Sequence, residues 1–163
     1  MASELGVQTI QHTNGTDAMT IDSSGRVSVS QQIGFLAEGS ASYQPYTSGD
    51  TLAYNLVTNN GQYNNGGHYD TSTYKFTCPV AGLYFFHASL YANAIYSGGI
   101  RLQHDDSSDA TVDDYRHYDT DTRAKQVSAV IKCSVGDKLY VTVEGGVSAY
   151  LGTYGRFCGY FIG

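Results

Sequence analysis

The sequence predicts an all-β sandwich or jelly roll. Three observations carry that expectation. Short apolar or alternating runs recur along the chain, turns rich in Gly, Asn and Asp separate them, and no window combines helical periodicity with caps. In order, Thr20–Asp22 and Arg26–Val29 flank the turn DSSG (22–25) as short strands, since Asp and Ser bond their own backbone and Gly accepts positive φ. IGFLAE (33–38) and LAYNLV (52–57) are short apolar runs, and NNGQYNNGG (59–67) reads as a loop. HYDTSTYKF (68–76) leads into the turn CPVAG (78–82), followed by a long strand, GLYFFHASLYA (82–92). GIRLQ (99–103) alternates, and HDDSSDATVDD (104–114) reads as an acidic loop. VSAVIKCSV (127–135) and KLYVTVE (138–144) are joined by Gly136-Asp137, read as a hairpin turn. RFCGYFIG (156–163) is a closing strand. The chain divides into an arm, 1–32, which is polar and free of tyrosine, and a head, 33–163.

Composition narrows the function. The 163 residues suffice for one domain with a core. Charged residues are 15%, against about 25% in ordinary soluble proteins, and 15 Tyr, 6 Phe and many small polar residues take their place. Such a surface suits burial against copies of itself or another partner. A net charge of -6 with no basic stripe argues against nucleic acid and against anionic membranes. No run approaches a membrane span of roughly 20 apolar residues. The start, MASELGVQTIQHTNG, lacks the features of a secretory signal, so folding in a reducing cytoplasm is expected. The three cysteines, 78, 133 and 158, form no CxxC. They are read as small buried hydrophobes, not as a disulfide framework or a zinc site.

The stretch KFTCPVAGLYFF (75–86) sets Pro79 to fix φ and Gly82 to release the chain into the strand. There Tyr84, Phe86, Ala88 and Leu90 share one face, and Leu83, Phe85, His87 and Ser89 share the other. One face can fill a core; the other presents bulky apolar groups that need a cover. In the last strand Tyr160 and Ile162 lie opposite Phe157 and Phe161.

Asn65-Gly66-Gly67-His68-Tyr69-Asp70, Thr73, Phe76-Thr77-Cys78-Pro79 and Gly82-Leu83-Tyr84-Phe85-Phe86 resemble the signature of the globular head of complement C1q. Ser134-Val135-Gly136-Asp137-Lys138-Leu139-Tyr140-Val141 and Phe157-Cys158-Gly159-Tyr160-Phe161-Ile162 continue the resemblance over about residues 33–163. It implies the ten-strand jelly roll shared with tumour necrosis factor, and a homotrimer in which the outer face of one sheet packs on neighbouring subunits. Phe76, Gly82, Leu83, Tyr84, Phe85, Phe86, Phe157, Gly159, Tyr160 and Phe161 are then the structural and trimer residues. Covering of Leu83 and Phe85 by the arm is the alternative. The family often has Thr-Gly before its Lys-Phe; Tyr74 stands here instead, and no collagen triplets are present.

Within the arm, GTDAMTIDSSGRVSV (15–29) resembles short repeats of bacteriophage tail-fibre and head-fibre proteins, close to Met-x-Ile-Asp-Ser-Ser-Gly-x-Val. This implies a virion structural protein, assembled in the host cytoplasm. The arm would attach to other virion proteins, and the knob would bind a host-surface glycan or protein, or decorate the capsid. A soluble recognition protein of a cellular organism is the alternative. His68 with Asp70, or His117 with Asp119, lack a nucleophile at a strained turn, so no enzyme and no organic cofactor are expected. Asp105, Asp106, Asp109, Asp113 and Asp114, with Asp119 and Asp121 beyond them, are candidate calcium ligands without the EF-hand spacing. The tyrosines 43, 46, 63, 96, 115, 118, 150 and 154 are read as loop residues able to form a recognition surface.

Overall fold

The computed structural model describes residues 6–29, 31–58, 61–93, 98–105 and 124–163, and the backbone of 113–119. Two compact units result, Met1–Gln32 and Ile33–Gly163.

The arm is a three-stranded antiparallel sheet of β1 (Thr9–Gln11), β2 (Asp17–Ile21) and β3 (Val27–Ser28). Its DSSG turn is built as its residue types require. Asp22 Oδ1 accepts from the amides of Ser24 (2.8 Å) and Arg26 (3.0 Å), and Gly25 takes φ 76°. These bonds and the adjacent Arg26 hold the Asp22 carboxyl below its ordinary range. The first strand, TIQ, was not foreseen; three residues with one apolar side chain give no alternation to read. Among the described residues of the arm none reaches full burial, and Ile10, Val27 and Val29 are about half exposed. An isolated small sheet of this kind is marginal alone.

The head holds β4 (Gly34–Glu38), β5 (Gln44–Tyr46), β6 (Tyr63–Asn65), β7 (Tyr69–Asp70), β8 (Lys75–Thr77), β9 (Gly82–Ala92), β10 (Gly98–Asp105), β11 (Asp113–Asp119), β12 (Ala124–Cys133), β13 (Lys138–Glu144), β14 (Val147–Tyr150) and β15 (Arg156–Phe161). One sheet runs β11-β10-β13-β8-β7. The other runs β5-β14-β9-β15-β4-β6, with β12 on β9. β12 takes one edge of β9 along its whole length; β15 and β14 share the other edge. This is an antiparallel jelly roll whose two sheets enclose one core. Among the described residues no helix is long and apolar enough to cross a membrane.

Aromatic rings from both sheets fill the core. Phe35 stacks on Tyr69 (4.5 Å) and Phe76 (5.0 Å) and meets Phe157 edge-on at 4.9 Å. Phe76 also packs on Phe86 at 5.7 Å. Each such ring contributes about 2–3 kcal/mol by leaving water. The buried phenols are satisfied: Tyr69 donates to Tyr54 O (2.8 Å), Tyr54 to Ser89 O (2.9 Å) and Tyr84 to Val80 O (2.8 Å). Burial pushes the Tyr84 phenol up to about 12.

The sheets correct four sequence expectations. Residues 52–57 are no strand of either sheet. They cross between sheets, with Leu52 N on Val141 O and Leu56 paired to Glu38, while Leu52 and Tyr54 are fully buried. Burial of alternate residues, without a continuous ladder, produced the strand-like pattern. The loop 59–67 contains β6, which pairs with β4. The acidic loop is shorter than expected, because Asp105 ends β10 and Asp113 and Asp114 begin β11. Gly136-Asp137 closes no hairpin either: β12 pairs with β9, whereas β13 pairs with β10 and β8 in the opposite sheet. Cys133 and Leu139 are both buried between the sheets, so the turn carries the chain across the core.

Tyr74 explains the family's glycine. It has φ 61°, the sole non-glycine positive φ among the described residues. The turn is set by Asp70, whose carboxylate accepts from the Ser72 amide (2.8 Å), the Ser72 hydroxyl (2.6 Å) and the Thr73 hydroxyl (3.0 Å). These bonds lower the Asp70 pKa to about 2. That stabilisation is present above about pH 4, the unfolded carboxyl's range, and is lost as pH falls toward 2. Left-handed backbone costs a side-chain-bearing residue about 1–2 kcal/mol. Tyr74→Gly is therefore expected to unfold at higher denaturant than Tyr74→Ala, by about 1 kcal/mol. Both variants lose the ring, so chemical denaturation isolates the backbone; equal midpoints would show that φ is not strained.

Candidate subunit interface

The long strand β9 alternates strictly. Tyr84, Phe86, Ala88, Leu90 and Ala92 are buried between the sheets, and Leu83 is 44% exposed on the outer face. Register extends that face across β12, β15 and β4. Val130, Phe85, Tyr160 and Gly34 form one row, and Ser128, His87, Cys158 and Leu36 form the next. Ile162 joins beside Leu83 through paired backbone bonds, Leu83 N to Gly163 O (2.7 Å) and Ile162 N to Leu83 O (2.8 Å). Val130 (55%), Ile162 (52%) and Tyr160 (42%) stand well out, and Phe85 packs on Tyr160 at 5.3 Å. The row beyond is polar: Arg156 pairs with Glu38 at 3.1 Å, next to Ser89. An apolar patch with a charged border is the anatomy of a protein interface. His87 sits mid-face, and burial holds its ring below the ordinary histidine range.

Tyr91 continues the outward parity to the end of β9, where β14 pairs. There Tyr91 meets Tyr154 (5.6 Å), Tyr154 meets Tyr150 (5.5 Å) and Tyr150 meets Tyr43 (5.7 Å). Tyr46, Tyr63, Tyr115, Tyr118 and Tyr150 lie in strands, not loops. Tyr96 lies outside the described residues, as do the side chains of Tyr115 and Tyr118.

Of the ten residues assigned to structure and trimer, Leu83, Phe85 and Tyr160 face outward. Phe76, Tyr84, Phe86 and Phe157 are fully buried in the core. Gly159 is also inward: a Cβ there would stand 2.4 Å from Phe86 Cδ1 and 3.0 Å from Phe35 Cε1, so the glycine makes room for two rings. Phe161 tilts onto Tyr84 at 5.1 Å. Gly82 takes φ 153° where a Cβ would stand 2.6 Å from Phe161 Cε2. Val130 was missed, although the alternation of VSAVIKC places it opposite Ile131 and Cys133. Leu36 and Cys158 were missed, and Tyr63 was read as a loop residue, because their place on this face depends on register. Cys158 is half-buried on this face, not in the core.

The other candidates separate. Asp70 spends its carboxylate on the Ser72–Thr73 turn, so it does not orient His68, whose ring lies edge-on to Phe76 at 6.5 Å. The side chains of His117 and Asp119 lie outside the described residues. Among the calcium candidates, Asp105 is exposed opposite Lys138. Asp106 and Asp109, and also Asp121, lie outside the described residues, as do the side chains of Asp113 and Asp114.

Two antiparallel sheets in this order, with one apolar outer face, define a jelly-roll head of the C1q and tumour necrosis factor class. The chain belongs to the C1q domain family, whose model matches residues 34–162. It is 30% identical over 90 residues to complement C1q and tumor necrosis factor-related protein 9B of Homo sapiens, covering 52% of this chain and 24% of that protein. Protein 9A of the same organism is 29% identical over 90 residues, with the same coverage. The chain thus spans about a quarter of the length of these curated relatives, 24% in each case. The globular domain of zebrafish complement 1qA superposes with a TM-score of 0.54 at 17% identity, over 81% of this chain and 98% of that one. Eiger TNF from S. frugiperda gives 0.61 at 10% identity, over 82% and 94%. Murine APRIL gives 0.62 at 9% identity, over 80% and 99%.

Proposed function

We propose that three copies of this chain associate through the outer face of the β4-β15-β9-β12 sheet to form a non-enzymatic binding knob. The observation that carries this reading is the row Val130, Phe85, Tyr160, flanked by Leu83 and Ile162: apolar side chains on a face the core does not use. A half-exposed side chain of this size gains about 1 kcal/mol when covered, and threefold repetition multiplies it. Three identical sites on one rigid body then raise avidity for a repetitive ligand.

The knob's setting follows from the arm. Its Met19-Thr20-Ile21-Asp22-Ser23-Ser24-Gly25-Arg26-Val27 resembles phage fibre repeats, and its half-exposed Ile10, Val27 and Val29 suit an edge that interleaves with two other arms or with a virion protein. The chain is accordingly proposed as a virion protein, assembled in the host cytoplasm, with the knob turned to a host-surface glycan or protein, or serving as capsid decoration. The curated relatives favour a second setting, a C1q-like recognition protein of a cellular organism. Mass spectrometry of purified phage particles separates the two. Stoichiometric presence in washed virions is expected; recovery only from cell fractions of the producing organism would favour the second. Binding of the purified trimer to candidate host cells, lost on adding soluble surface glycan, is expected from the receptor function.

A further inference from the structure

At the end of the sandwich where the chain crosses from β12 to β13, metal-competent side chains converge inside the core. His104 on β10, Cys133 at the end of β12 and Asp137 in the crossing turn are 5%, 2% and 1% exposed. Their donor atoms lie within 4.8 Å of one another. His104 Nε2 and Asp137 Oδ2 are 2.9 Å apart, and the Ser134 amide donates to the same oxygen at 2.7 Å. Beside Cys133, whose thiol donates to Ile131 O, lies the thiol of buried Cys78. Its backbone is tied to the turn by Cys78 N to Asp137 O and Gly136 N to Cys78 O, both 2.9 Å.

We propose that His104, Cys133 and Asp137 form a structural site for one zinc-class divalent ion, with the Cys78 thiol, which lies outside that cluster, moving in as the fourth donor. An imidazole nitrogen, a carboxylate oxygen and two sulfurs are the donor set that such an ion takes in tetrahedral geometry. Bonds of about 2.0–2.3 Å place tetrahedral donors roughly 3.3–3.8 Å apart. The His104–Asp137 pair therefore opens by a few tenths of an ångström, and the sulfurs draw in. On binding, each cysteine gives its proton to solvent, the hydrogen that His104 Nε2 donates to Asp137 is given up so that the neutral ring carries its hydrogen on Nδ1 and binds through Nε2, and no group changes oxidation state. The ion would tie β10 of one sheet to the end of β12 in the other. Burial makes the cysteines inert toward bulky reagents.

The test uses the full chain, refolded under reducing agent with cobalt(II) chloride as a spectroscopic stand-in. One cobalt per chain is expected, with the strong visible bands of tetrahedral cobalt and a thiolate charge-transfer band. Zinc should displace it, and zinc should raise Tm by several degrees while calcium leaves Tm unchanged. Cys133→Ser should lose most of the charge-transfer intensity. The wild-type spectrum decides the matter even if that variant fails to fold. Wild-type protein without tetrahedral bands and with a Tm insensitive to zinc would overturn the proposal. So would a Cys133→Ser protein that keeps the full charge-transfer band.

Discussion

Val130→Asp is expected to convert the trimer into a folded monomer. Wild-type protein should sediment as a trimer at low micromolar concentration, and the variant as a single subunit with an unchanged far-ultraviolet spectrum. Val130 is 55% exposed in the isolated subunit, so a carboxylate there stays solvated and costs the fold little, within the roughly 1 kcal/mol span of strand preferences. In the trimer the same carboxylate would lie in the row Val130, Phe85, Tyr160, without a basic partner in that row. Desolvating an unpaired charge costs several kcal/mol, and the trimer would contain three. Dissociation should rise by at least a hundredfold. Lys138→Ala, exposed on a strand of the opposite sheet, is the control and should leave the trimer intact. A wild-type protein that sediments as a well-behaved monomer would end the interface reading; a Val130→Asp trimer would move the interface elsewhere.

Removal of residues 157–163 is expected to abolish folding. β15 lies between β9 and β4 and pairs with both, so its loss exposes two strand edges in the middle of a sheet. Phe157 is fully buried against Phe35, Tyr54, Tyr69 and Phe86. Loss of such a ring alone costs about 3–5 kcal/mol, a large part of the 5–15 kcal/mol that holds a domain together. The truncated chain should be insoluble or lack a cooperative unfolding transition by circular dichroism. Phe157→Ala, which keeps the strand, should fold with a clearly lowered midpoint. A soluble, trimeric truncation would show that β15 is dispensable and would contradict the assigned topology.

Acid should weaken the fold at the same face. Burial within its own subunit holds His87 below the ordinary histidine range, so the folded ring stays neutral where an unfolded one binds a proton. This contribution to folding is favourable above about pH 6.5 and is lost as pH falls below it, which a lower denaturation midpoint in acid should report.

Residue alternation alone determined much of this protein. It assigned inward and outward sides along Gly82–Ala92, placed Phe157 opposite Tyr160, and marked DSSG as a turn, because side-chain direction in a strand and φ at a glycine are local properties. Only the tertiary structure decided which strands pair. Gly136-Asp137 has the residues of a hairpin, yet it joins opposite sheets, because Cys133 and Leu139 are both drawn into the core between them. Leu52 and Tyr54 carry a strand's alternation on a segment that crosses the sandwich. His104 meets Asp137 across 33 residues of sequence, and Cys78 meets Cys133 across a longer gap still. Such contacts come from register between distant strands, which no window of the sequence contains.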